Sequence, residues 1–302
     1  MATSIKNFET ISDFNQMLGV DTLHPLVSVI CLDNSKPMHH LRHTMSFYAI
    51  FLKDEKNCDI VYGRKHYDYD QGSVVCLAPG QVIGIEDTGE IFQPKGWALF
   101  FDPQLIHGTQ LGQNIHSYHF FTYEVNEALH LSNDERQTFI LCLQQIRQEL
   151  QNNVDHLSKR LISSYIEILL NYCQRFYERQ FNTRREANSD VLMRFEQLLN
   201  KYFEGNNAMI NGLPTVNYCA SKLFLSANYF GDLIKKETGK TPRDYITAKI
   251  LQTIKSRLAH TDKSITQIAD ELGFQYPQHL SKFFKKETGC SPINYRKQIL
   301  NT

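Results

Sequence analysis

The pentapeptide Lys235-Lys236-Glu237-Thr238-Gly239 returns fifty residues later as Lys285-Lys286-Glu287-Thr288-Gly289, and this duplication constrains the chain more than any other feature. Its flanks repeat with it. Upstream, Phe230, Leu233 and Ile234 match Leu280, Phe283 and Phe284; downstream, Thr241-Pro242 and Tyr245 match Ser291-Pro292 and Tyr295. Farther upstream Ala220 and Leu223 match Ala269 and Leu272 at a displacement of 49, so one copy carries an extra residue in a turn.

Each part of the repeat has a physical reason to be there. Apolar residues three and four apart form one buried stripe on a helix. Gly239 and Gly289 stand where a helix must stop, because glycine accepts the left-handed conformation without a Cβ penalty. Thr241-Pro242 and Ser291-Pro292 then start a new helix, the hydroxyl as N-cap and proline at the first helical position. The unit reads helix, stop, helix.

A shorter helical segment precedes each unit, Val216 to Phe224 in one copy and Ile265 to Leu272 in the other, where Ser264 and Gln267 form a capping box. The links Leu225-Ser226 and Gly273-Phe274-Gln275-Tyr276 are short enough for a helix-turn-helix, with Ser226 capping the first second-helix and Pro277 opening the other. Two helix-turn-helix units follow, at about 216–239 and 265–289. Between them Pro242 to His260 reads as one helix, with Ile246, Ile250, Ile254 and Leu258 at every fourth position. Its length of roughly 28 Å approaches the roughly 34 Å between successive major-groove faces of B-DNA.

A bundle of stacked repeats is the competing reading, but two copies are fewer than a solenoid needs. Stacking also leaves the charge unexplained. The chain has 32 basic and 32 acidic side chains, yet residues 1–189 hold 16 Lys and Arg against 22 Asp and Glu, while residues 190–302 hold 16 against 10. A basic segment joined to an acidic one fits a nucleic-acid-binding unit tethered to one that does not touch phosphates.

Over about Val191 to Arg296 the chain resembles the AraC/XylS family of bacterial transcription regulators, through the paired K-K-E-T-G elements and their T-P and S-P followers at this spacing. The resemblance implies a domain of two helix-turn-helix subdomains joined by a long helix and contacting adjacent major grooves of double-stranded DNA. It also implies RNA polymerase as a partner, a homodimer and no enzymatic activity. Carried over by position, the first recognition helix presents Asn228, Gly231 and Asp232 to the bases, and the second presents Gln278, His279 and Lys282. Asn and Gln can pair bidentately with adenine and Lys282 can reach guanine acceptors. Gly231 has no side chain, and Asp232 is repelled by phosphate unless it accepts from a cytosine amino group. Both depart from the family's usual longer polar or basic residues. Lys235, Lys236, Lys285 and Lys286 suit phosphate contact or a solvated helix end.

Between Leu26 and about Phe121 the pattern changes to short β-rich runs: Leu26 to Leu32, Met45 to Leu52, Ile60 to Tyr62, Val74 to Leu77, Val82 to Ile85 and Trp97 to Phe101. Turn clusters such as Pro79-Gly80 separate them, as in a β-barrel or jelly roll. The resemblance implies a cupin-like sensor barrel, and Gly72 with Pro79-Gly80 echoes a cupin turn. His39, His40 and His43 cluster, and His116 and His119 lie three apart, but the His-x-His that a catalytic cupin needs is missing. A binding barrel with no metal, no cofactor and no catalytic residue is therefore expected. Aromatic candidates to line an effector pocket are Phe47, Tyr48, Tyr62, Tyr67 and Trp97, although strand aromatics also serve as plain core.

From Ser132 the pattern returns to helical, with Glu135 completing a capping box. Phe139, Leu143, Ile146 and Leu150 form one stripe, and Leu161, Tyr165, Ile168 and Tyr172 form a second. One suits the barrel and the other a second subunit. Asn182 to Ser189 lacks an apolar run and reads as a linker.

The fold class expected is α+β and multidomain: a cupin-like β-barrel over 1–131, a helical dimerisation region over 132–181, a linker over 182–190 and an all-α double helix-turn-helix domain over 191–302. No apolar run approaches the roughly 18 residues of a membrane span, and Met1 to Thr10 lacks the basic segment followed by an apolar run that marks a signal peptide. A cytoplasmic, nucleoid-associated bacterial protein is expected, with its seven dispersed cysteines reduced and buried. The function expected is DNA-binding regulation tuned by a small molecule. The alternatives are tuning by a protein partner, or a cupin enzyme with a DNA-binding tail.

Overall fold

The structure, a computed structural model, describes residues 5–53, 72–84, 89–123, 127–152, 155, 157–183 and 185–300. The chain divides into two compact units, 1–183 and 184–302.

The first unit opens with β1 (Lys6–Phe8) and α1 (Ile11–Leu18), then β2 (Val27–Cys31), β3 (Met38–His39), β4 (His43–Met45), β5 (Tyr48–Lys53), β6 (Ser73–Leu77), β7 (Ile91–Phe92) and β8 (Gly96–Phe101). Short helices α2 (Pro103–Ile106) and α3 (Gln110–Asn114), strand β9 (Leu129–His130) and long helices α4 (Asn133–Gln151) and α5 (Ser158–Thr183) complete it. Five strands form one antiparallel sheet in the order β2-β8-β5-β6-β9, while β1 pairs parallel with β4 and β3 antiparallel with β7. Among the described residues these three sheets do not close into a barrel. Of the run expected over Val82 to Ile85, whose last residue lies outside the described residues, Ile83 makes an isolated bridge to His43. The run at Ile60 to Tyr62 lies outside the described residues.

Strand alternation decides which side chains meet. In the register Ala49↔Phe100 and Phe51↔Ala98 share one face, and Tyr48↔Phe101, Ile50↔Leu99 and Leu52↔Trp97 share the other. The first face joins Phe47, Ala49, Val75, Ala98 and Phe100 to Ile11, Phe14 and Leu18 of α1 in one cluster. On the second, Phe101 stacks on Tyr48 with centroids 4.9 Å apart and meets Phe121 edge-on, and the neighbouring Phe120 stacks on Tyr177 of α5. Helix packing on both faces explains why β5 and β8 read as nearly unbroken apolar runs.

This corrects the pocket expected from sequence. Phe47 is wholly buried against Phe14 and Phe100, whereas Tyr48 and Trp97 belong to the opposite face, so the three do not line one cavity. Tyr62 and Tyr67 lie outside the described residues.

The first long helix buries its stripe, and the second buries a different face from the one read in sequence. Ser132 and Glu135 form the expected capping box on α4, and Phe139, Leu143, Ile146 and Leu150 are buried. On α5 the buried apolar residues include Ile162, Ile166, Leu169, Leu170, Cys173 and Phe176, and Ser163 is buried among them. Leu161 and Ile168 from the second stripe are instead 43% and 45% exposed. Glu135 also receives Arg179 Nε at 3.0 Å, and Arg179 Nη2 donates to the His130 carbonyl at 2.6 Å, tying α5 to the start of α4.

The second unit is all helical: α6 (Arg185–Glu204), α7 (Asn207–Asn211), α8 (Val216–Leu223), α9 (Ala227–Thr238), α10 (Pro242–His260), α11 (Ile265–Glu271), α12 (Pro277–Thr288) and α13 (Pro292–Leu300). Within 182–190, the segment expected as a linker, α5 runs to Thr183, α6 begins at Arg185 and the division between the two compact units falls after residue 183. Arg, Glu and Ala are good helix formers, and neither Pro nor Gly interrupts them. No described helix is long and apolar enough to cross a membrane.

Candidate nucleic-acid interface

Two helix pairs, α8 with α9 and α11 with α12, are built by equivalent local bonds. Thr215 caps α8 by accepting from Tyr218 N–H at 3.1 Å, and Ser264 caps α11 by accepting from Gln267 N–H at 3.2 Å. Each first helix then ends in a left-handed residue, Phe224 (φ 62°) or Gly273 (φ 78°). The next amide reaches back in the same way, Leu225 N–H to the Ala220 carbonyl at 3.0 Å and Phe274 N–H to the Ala269 carbonyl at 2.9 Å. Ser226 caps α9, while Tyr276 precedes Pro277 at the start of α12 without a side-chain cap. Gln275 is thus the extra residue that changes the displacement from 49 to 50.

The repeated pentapeptide ends both second helices identically. Gly239 and Gly289 adopt φ 71° and 79°, each donating 2.9 Å to the carbonyl of Lys235 or Lys285. Thr238 donates its hydroxyl to the Ile234 carbonyl at 2.7 Å and accepts from Lys240 N–H at 3.2 Å. Thr288 does the same with the Phe284 carbonyl at 2.7 Å and Cys290 N–H at 3.4 Å. These bonds give the threonine of K-K-E-T-G a role that the sequence leaves unexplained.

Burial orients the outer faces. Phe230, Leu233 and Ile234 are buried in α9, and Leu280 and Phe284 in α12; Phe283 is half-buried beside Phe274. On α9 Asn228, Lys235 and Lys236 are exposed, with Gly231 and Asp232 half-buried. On α12 Gln278, His279, Lys282, Lys285 and Lys286 are exposed, and the His279 ring meets Tyr276 edge-on at 5.3 Å. Residues 228, 231, 232 and 235, like 278, 282 and 285, follow helical spacing and so share one outward stripe. Both second helices therefore present polar or basic stripes that can meet phosphates and base edges.

The connector and its support fix these stripes in place. Ile246, Ile250, Ile254 and Leu258 of α10 are all buried, as the sequence predicts. What sequence reading missed is α6, whose Phe195, Leu199, Tyr202 and Phe203 are buried at three- and four-residue spacing. That spacing was the available signal. Phe195 packs edge-on to Phe230 at 5.0 Å, and Glu196 accepts a hydrogen bond from Tyr245 Oη. Burial first, then the Glu196 hydrogen bond and charge, push the Tyr245 hydroxyl up to about 12, so it is a donor at neutral pH. The Cys219 thiol is likewise pushed to about 12 by burial and stays protonated. Among the described residues no three His, Cys, Asp or Glu gather as metal ligands.

Residues 219–298 match the family described as a helix-turn-helix domain. The melibiose operon regulatory protein of Escherichia coli is 30% identical over 155 residues, 51% of this chain and 48% of that protein. The "Probable transcriptional regulator LumQ" of Photobacterium leiognathi is 24% identical over 277 residues, 90% of this chain and 96% of that one. Among solved structures, the C-terminal domain of AraT, a response regulator from Geobacillus stearothermophilus, shares 27% identity at a TM-score of 0.32, covering 36% of this chain and 84% of that one. The chain spans 11%, 21% and 30% of the length of the first three curated relatives it matches.

Proposed function

We infer that this chain, whose residues 219–298 form an AraC-type helix-turn-helix domain, is a sequence-specific DNA-binding transcription regulator. The observation that carries the reading is the pair of identically terminated second helices, each with an outward polar or basic stripe. Asn228, Gly231 and Asp232 face the bases from α9, and Gln278, His279 and Lys282 from α12. Lys235, Lys236, Lys285 and Lys286 face phosphates. The partners are double-stranded DNA and RNA polymerase.

The first unit, read as a cupin-like sensor, binds a small molecule and acts as a homodimer. Leu161 and Ile168, exposed on α5, favour the outer face of this helix as the contact between copies. Effector occupancy shifts the population between arrangements of the two DNA-binding units that can and cannot occupy both half-sites.

The test is selection of DNA from a random pool by the full-length protein at fixed salt, read by sequencing. A motif spanning about two major grooves per subunit is expected. Retention of the pool without enrichment, at salt where non-specific binding persists, overturns sequence-specific regulation.

A further inference from the structure

Lys159, Arg160, Ser163 and Glu167 line one face of α5 at helical spacing, and with His107 and Thr109 of the α2–α3 segment they bound a cleft of about 550 Å³. That volume lies within the roughly 300–1,000 Å³ of small-molecule sites. Lys159 Nζ donates to the His107 carbonyl at 3.1 Å, which holds the ammonium beside the α2–α3 segment. Arg160 is exposed, and among the described residues neither cation is in an ion pair.

The hydroxyls of this cleft differ in one respect. Thr109 donates to the Ile106 carbonyl at 2.6 Å and accepts from Gly112 N–H, and Ser164 donates to the Arg160 carbonyl at 2.9 Å. Ser163 is only 3% exposed, and its Oγ has no hydrogen-bond partner among the described residues. Buried polar groups are normally paired, so an unpaired hydroxyl on a residue lining the same cleft as two cations points to a ligand atom there.

We propose that this cleft binds a small organic anion whose carboxylate or phosphate sits between Lys159 and Arg160 and accepts a hydrogen bond from Ser163. Glu167 lies about 12 Å farther along the axis of α5 from Lys159. It repels a second anionic group, so the ligand carries its charge at one end and a neutral or hydrogen-bond-donating body at the other. The site deepens the sensor reading and rests on it for its regulatory meaning, because Leu161 and Ile168 adjoin Arg160 and Glu167 on the same helix. Binding itself is measured without DNA.

Isothermal titration of the full-length protein with benzoate, phenyl phosphate and neutral benzyl alcohol tests this. One or both anions should bind one per chain with a dissociation constant below about 1 mM, and benzyl alcohol should not. The response to benzoate against phenyl phosphate tells carboxylate from phosphate. Lys159→Ala with Arg160→Ala should weaken binding at least tenfold. Ser163→Ala should weaken it several-fold without lowering the thermal midpoint of the unliganded protein, a combination that a purely structural serine does not give. Absence of saturable heat for both anions overturns the proposal, as does affinity unchanged in both variants. Anion binding by a protein that enriches no DNA motif counts against the regulator reading alone.

Discussion

Phe224 and Gly273 hold the same left-handed turn position, φ 62° and 78°, in the two helix-turn-helix units, but their surroundings are opposite. Phe224 is 61% exposed. A Cβ on Gly273 would lie 2.2 Å from the Ala208 carbonyl oxygen and 2.7 Å from the Gly212 carbonyl carbon. One turn is open, and the other is pressed against α7 and the residue that follows it.

Substitutions at these equivalent positions should therefore move stability in opposite directions. Phe224→Gly relieves a left-handed strain of about 1–2 kcal/mol, offset in part by the entropy of glycine, and should raise stability by up to about 1 kcal/mol. Gly273→Ala adds both strain and a clash with backbone that cannot step aside, and should cost on the order of 3 kcal/mol. Urea unfolding of the two variants checks the sign; equal effects would remove the asymmetry.

Gly231 sits in the middle of α9, and a Cβ there would meet nothing within 4 Å. Its absence of a side chain is thus not a packing requirement. Gly231→Ala should stabilise the second unit by about 1 kcal/mol, the difference in helix propensity, seen as a higher denaturation midpoint at unchanged slope. A lower midpoint would show that the glycine serves the fold after all.

The C-terminal helices were legible because their ends are chemically marked: Ser226, Gly239, Thr241-Pro242, Ser264 with Gln267, and Gly289 each supply a cap or a stop that acts over three or four residues. The start of α6 carries no such mark, and a polar helix without Pro or Gly has the composition of a linker. In the first unit strands were legible as apolar runs, but their partners were not. Phe47 and Tyr48 are neighbours in sequence and face opposite sides of the sheet, and only the register with β8 says which face each helix covers. The unpaired hydroxyl of Ser163 leaves no trace in sequence at all.

His43 makes the first unit sensitive to acid. Its ring lies 5.6 Å from Phe8 and 5.5 Å from Phe14, Nδ1 bonds the Leu41 carbonyl at 3.0 Å, and Nε2 is buried without a partner among the described residues. Burial is the first cause that lowers its pKa below the ordinary 6.5; the Leu41 carbonyl partly opposes this and the Lys6 charge adds to it. The unfolded chain then binds the proton more readily than the folded one. Stability is full above about pH 6.5 and is lost as the pH falls from there toward the lowered folded value. His24, also lowered by burial, contributes with the same sign. The thermal midpoint of the first unit should fall between pH 7 and about pH 5, and His43→Phe should flatten part of that slope. An unchanged slope would assign the acid sensitivity elsewhere.

The exposed stripe of α12 allows base reading and phosphate contact to be told apart. Gln278 stands at the first turn of the helix and Lys285 at its last, seven residues on. If the first turn enters the groove, Gln278→Ala should cost about 1–3 kcal/mol on the selected motif, and that loss should disappear on DNA altered at one base pair. Lys282→Ala should weaken binding by a similar amount. Lys285→Ala should instead weaken binding to every sequence alike and reduce the slope of log affinity against log salt by about 1, because one fewer counterion is released. The measurement is a salt titration of each variant on motif and altered DNA. Were Gln278→Ala to behave like Lys285→Ala, the first turn of α12 would contact only the backbone, and the bases would have to be read from Lys282 or from α9.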